Sequence, residues 1–181
     1  MTLAEFMDAT RKEFPCFEIR PKATSAFMQL VAKFLLVITF GTQKTFMASY
    51  TTTINTTVYT PEGFEAWTDD QKLAILRHER VHMRQAKKIG FPVFAFLYLL
   101  VPLPLGLAFY RAKFEWEAYT ESMRVAVERN GMKILDDPKY KKSIFDHFTT
   151  GAYGWMWPFT LTLEKWWAES RKQLESEIGH V

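Results

Sequence analysis

The most constraining feature of this chain is His78-Glu79-Arg80-Val81-His82, an H-E-x-x-H pattern within the run from Leu73 to Gln85. The surrounding stretch reads as one helix. Thr68 with Gln71 three positions on is a capping box that opens it, and neither Pro nor Gly occurs until Gly90 supplies a stop. Side chains four apart on a helix share a face, so the two imidazoles can hold one metal ion between them. Glu79, next to the first His, stands in the general-base position, within reach of a water on that metal. The competing reading is two surface histidines on a charged helix.

At 181 residues the chain is long enough to bury a real core, and 1–181 is expected to form one domain. Sixteen Phe and six Trp imply a large apolar interior or an apolar surface. The net charge of +3 comes without an isolated Lys/Arg block, so nucleic acid is not an expected partner. Cys16 is the only cysteine. It excludes an internal disulfide and a thiolate zinc site, and is expected to be a buried small hydrophobe. The first residues carry acids and lack a basic segment leading into an apolar one, which is not a signal peptide. The expected location is cytoplasmic or membrane-associated.

Residues 2–14 read as a short amphipathic helix closed by Pro15, and 23–40 as a second, with Thr24 or Ser25 as cap and Gly41 as stop. The β-branched and aromatic run 45–60 reads as two short strands turning near Asn55, a small antiparallel sheet ahead of the H-E-x-x-H helix. Two uses of that sheet stay open, an edge that takes up a substrate backbone or a cover for the helix. Residues 91–110 contain no charge and are flanked by Lys87, Lys88, Arg111 and Lys113. Pro102, Pro104 and Gly106 would break a spanning helix, which favours a buried or membrane-dipping connection over a true span. The same stretch is a candidate contact with a membrane or a protein assembly. Residues 111–129 read as a long helix ended by Asn130-Gly131. Asp137-Pro138 opens another through about Phe148, and 162–178 form the last, anchored by Trp166 and Trp167.

A catalytic zinc takes three protein ligands and keeps a position open. His147 and His180 are the only other histidines, and Gln85 and Lys88 stand where an extended H-E-x-x-H-x-x-G-x-x-H pattern would need Gly and His. A glutamate on the next long helix is the better candidate, with Glu115, Glu117 and Glu121 available. At most one of Glu115 and Glu117 can face the metal, because they point to different sides of the helix. Tyr153, in the glycine-flanked loop, and His147, just before it, are candidate donors to an oxyanion. Arg80 and Arg84 are expected to hold acidic side chains near the site.

The element Glu115-Trp116-Glu117-Ala118-Tyr119 resembles the E-[FY]-x-A-D element of the membrane-associated gluzincin metallopeptidases. There a Glu on a second helix completes a His2Glu zinc site after an H-E-x-x-H helix. The resemblance covers roughly residues 70–122. It implies Glu115 as third ligand, with Ala118 as the small residue at which the helices approach, and puts Tyr119 where the family has Asp. It implies a mainly helical α+β protein of zincin type in which His78, His82 and Glu115 hold Zn²⁺ and Glu79 serves as base in peptide hydrolysis. The contrasting class is a structural or interaction protein that keeps the zinc fold inside a larger assembly, such as a virion, with little or no turnover. Glu79 favours the enzyme, since a purely structural site has no use for a carboxylate beside an open position. A membrane-bound factor anchored by 91–110 is the third reading.

Overall fold

The computed structural model describes residues 1–38, 46–99, 108–150 and 156–178. It is mainly helical with one small sheet, an α+β arrangement. The chain divides into two compact units, Met1–Met83 and Arg84–Val181.

In the first unit, α1 (Leu3–Glu13) opens on Thr2, whose side chain accepts from the Glu5 amide while the Glu5 carboxylate accepts from the Thr2 amide. This reciprocal cap satisfies two amides that the helix cannot. β1 (Glu18–Pro21) follows a turn at Pro15-Cys16, and α2 (Ala26–Ile38) starts where the Ser25 hydroxyl accepts from the Met28 amide at 3.2 Å. A single helical turn, α3 (Phe46–Ser49), leads into β2 (Thr52–Ile54) and β3 (Thr57–Thr60). Between these strands Asn55 takes φ 55°, a left-handed conformation that Asn tolerates better than most side chains.

The expected antiparallel pair turning near Asn55 is present as β2 and β3, but the sheet is not purely antiparallel, because a third strand joins it. Its order is β1-β3-β2, with β2 antiparallel to β3 and β1 parallel to it, so the sheet is mixed. A parallel pair needs a long crossover, and residues 22–56, α2 included, supply it. β1 ends in Pro21, which a sheet accepts only where no ladder hydrogen bond is required, as at an edge. Cys16 is exposed rather than buried, because it sits in the surface turn that reverses the chain between α1 and β1. Phe6, Phe14, Phe17, Val58, Phe64, Leu73, Leu76 and Met83 form the core of this unit.

α4 (Asp69–Ile89) begins in the first unit and ends in the second. In the second unit, α5 (Phe91–Leu99), α6 (Phe109–Asn130), α7 (Pro138–Thr149) and α8 (Thr160–Ile178) follow one another. Gly131, at φ 73°, ends α6, and Asp137 caps α7 by accepting from the Lys139 amide at 2.8 Å. Trp116, Met123, Ile144, Phe148, Leu163 and Trp167 are central to the core here. Within it, Trp116 Nε1 donates to Ser170 Oγ at 3.0 Å, and the hydroxyls of Ser170 and Thr120 lie 2.9 Å apart. Each buried polar atom of that trio therefore has a partner. Of the uncharged stretch 91–110, residues 100–107 lie outside the described residues. Among the described residues no helix is long and apolar enough to cross a membrane.

Candidate metal centre

The site starts with the cap of α4. The Thr68 amide donates to Gln71 Oε1 at 2.9 Å, and the Gln71 amide donates to Thr68 Oγ1 at 3.2 Å. A helix started there runs unbroken to Gly90, where φ is 85°. Inside it His78 and His82 stand one turn apart, with ring centroids 5.1 Å apart and planes at 73°. Both are buried, as are Glu79 and, on α6, Glu115.

One ligand atom from each of His78, His82 and Glu115 lies within 4.8 Å of the others. Around a tetrahedral ion with bonds of about 2.0–2.2 Å, neighbouring ligand atoms are roughly 3.4 Å apart, a spacing inside the 4.8 Å limit of this group. Two imidazole nitrogens and a carboxylate oxygen suit a borderline divalent ion, and among the described residues the group offers three protein donors, the number that leaves a position open. This buried His-His-Glu group could hold a metal ion.

Two other acids of α6, Glu117 and Glu121, are engaged elsewhere. Glu117 is exposed, and its Oε2 accepts at 2.8 Å from Gln85 Nε2, which also reaches the Phe114 carbonyl at 3.0 Å. Glu121 pairs with Arg124, which also forms an ion pair with Glu177 at 2.9 Å. His147, on α7, is stacked on Tyr119 with centroids 5.1 Å apart and an interplanar angle of 19°, and is not part of the His-His-Glu group. Tyr119 thus uses its ring for packing, against His147 and Phe148. Tyr153 and His180 lie outside the described residues. The guanidinium of Arg80 lies 4.3 Å from the centroid of Phe6, a stacking role alongside any acidic partner.

Three contacts escape sequence reasoning. Thr53, in β2, donates its hydroxyl to Glu79 Oε2 at 2.6 Å. That is a charge-assisted bond fixing one carboxylate oxygen. Lys22 is only 1% exposed, and its ammonium donates to the carbonyls of Phe46 at 2.9 Å and Tyr50 at 2.6 Å. It thereby clamps the turn that feeds β2. Burial pushes this lysine down to about 8, while the charge of Glu79 pulls the other way. The third is Tyr98 on α5, whose hydroxyl donates to Glu115 Oε1. A signal existed for Tyr98 alone, the one polar side chain of an otherwise apolar helix. Thr53 is one of five threonines between 51 and 57, and only strand register selects it. Set against known protein families, curated proteins and solved structures, the chain matches none.

Proposed function

We propose that this protein is a zinc-dependent metallopeptidase that hydrolyses peptide bonds, with zinc held by His78, His82 and Glu115. The observation that carries this reading is a second buried carboxylate, Glu79, beside the His-His-Glu group but not one of its donors. A structural zinc site closes with four protein ligands, whereas a three-donor group with an adjacent carboxylate suits activation of water. Bound zinc would supply Lewis acidity, polarising a substrate carbonyl and making water acidic enough to attack near neutral pH.

The remaining work falls to the chain. Glu79, steadied at Oε2 by Thr53, takes the proton of the attacking water on its other oxygen and hands it to the leaving amine. β2 lies at one edge of the sheet, and Thr53 links that edge to the base. An extended peptide pairing along β2 would therefore run past Glu79, the β-addition mode of recognition.

The test is zinc content and peptide-library cleavage by the purified chain, compared with Glu79→Gln. The substitution should keep zinc and lower cleavage by at least about a hundredfold, the range of general-base contributions. A Glu79→Gln protein that cleaves at the wild-type rate refutes the assignment of the base. A wild-type chain that binds no zinc refutes the site.

A further inference from the structure

Helix α5 has the sequence FPVFAFLYL, and the hydroxyl of Tyr98 is its one polar side-chain atom. A phenol set in an apolar helix needs an acceptor once its oxygen leaves water. Here the acceptor is the carboxylate of Glu115, through Oε1. The ring is also held. Phe94, one turn earlier on α5, lies 5.5 Å from it and packs in turn on Phe114 at 5.0 Å. The guanidinium of Arg111 stands 5.2 Å from the Tyr98 centroid. Arg111 and Glu115 are one turn apart on α6, so one helix face meets this phenol at its ring and at its oxygen.

Glu115 is 4% exposed, and a carboxylate that ligates through one oxygen leaves the other needing a donor. In a buried site little water is at hand to provide it, and an unmet acceptor there is costly. We propose that Tyr98 is the positioning residue of the metal centre: its hydroxyl holds one oxygen of Glu115 and so aims the other at the ion. This rests on reading His78, His82 and Glu115 as a metal site and is independent of any hydrolytic activity. It also gives the uncharged stretch after α4 a task, since α5 carries the one phenol that fixes the third ligand.

The experiment uses the full chain stripped of metal and titrated with zinc ion alone against a chromophoric chelator. Tyr98→Phe removes a single oxygen and should raise the zinc Kd roughly ten- to a hundredfold, the usual cost of losing a group that orients a ligand. In a Glu115→Ala background the same substitution should cost nothing more, because the effect passes through Glu115. A Kd within about twofold of wild type overturns the proposal, as does an equal loss in both backgrounds. A Tyr98→Phe chain that keeps its zinc affinity but loses hydrolysis overturns it too, and makes the phenol a donor to the reacting carbonyl instead. Should Tyr98→Phe fail to unfold cooperatively, wild-type protein with ¹³C-labelled tyrosine rings supplies the readout. Its Tyr98 resonance should shift on adding zinc, and a resonance that stays put refutes the role. Wild-type protein that binds no zinc removes the metal site and this inference together, before any variant is compared.

Discussion

Glu115→Ala and Glu117→Ala, two acids on the same helix, should separate cleanly in zinc affinity. Positions two apart are turned about 200° from one another around a helix axis, so they cannot serve one ion together. Glu115 is buried and belongs to the His-His-Glu group, whereas Glu117 is exposed and bonded to Gln85 at 2.8 Å. Zinc held by four protein ligands is bound with about 10–16 kcal/mol, roughly 3 kcal/mol for each ligand. At about 1.4 kcal/mol per decade, Glu115→Ala should weaken binding by a hundredfold or more in order of magnitude. Glu117→Ala removes one hydrogen bond at an exposed carboxylate and should leave the Kd within about twofold of wild type.

Stability provides a second reading of the same difference. A ligand at a thousandfold over its Kd stabilises the folded state by about 4 kcal/mol. That zinc-dependent increment in urea unfolding should persist in Glu117→Ala and collapse in Glu115→Ala. The metal-free chain must be unfolded alongside, because Glu115→Ala also takes away the acceptor of Tyr98, a loss of about 1 kcal/mol in its own right. Equal losses of affinity in the two variants, or a Glu115→Ala chain that binds zinc like wild type, would refute the assignment of the third ligand.

Thr53→Val should keep zinc and lower the turnover number roughly ten- to a hundredfold, since a hydrogen bond to a charged group contributes about 1.5–3 kcal/mol. Thr53→Ser should recover most of the rate, and a serine variant as slow as the valine one would show that the hydroxyl is not the active feature. Lys22 makes a prediction about stability and pH, because burial lowers its pKa from 10.5 in the exposed amine to about 8. Below about pH 8 folded and unfolded chains both hold the proton, and the cost of burying the charge is present in full. Between about 8 and 10.5 only the unfolded chain binds it, so this group's contribution to stability rises with pH across that window, by about 3 kcal/mol at most. Urea unfolding at several pH values from 7 to about 10 checks this against Lys22→Met. The rise should be absent in the variant, and a slope common to both proteins would assign it to other groups.

What is legible in the sequence is what depends on near neighbours. Thr68 and Gln71 cap α4, Asp137 caps α7 and Gly131 stops α6, each by contacts within a few positions of the chain. The pairing of His78 with His82 is of the same kind, since helical periodicity alone puts them on one face. β1 is not legible in this way. Glu18-Ile19-Arg20-Pro21 has little strand character of its own, and becomes a strand because Thr57–Thr60 lies beside it in parallel register. Thr53 is concealed for the same reason, as its neighbours in the threonine run share its chemistry and only pairing with Val58 decides which hydroxyl meets Glu79.

Polar atoms in apolar company are the exception to this dependence on register. A polar group taken from water must be met by another, so its presence in an apolar helix announces a long-range partner even when composition says nothing about which. Helix α5 carries one such group, Tyr98, and α6 carries Glu115 a turn beyond Arg111. Read as a pair, an isolated phenol and a nearby carboxylate already limit how α5 and α6 can face one another. The same requirement separates three acids of α6. Glu121 and Glu117 find their partners in Arg124 and Gln85. Glu115 instead accepts from a phenol and lies beside two imidazoles. Of these three acids Glu115 is the one that belongs to the His-His-Glu group, and the zinc titration of Glu115→Ala tests that difference directly.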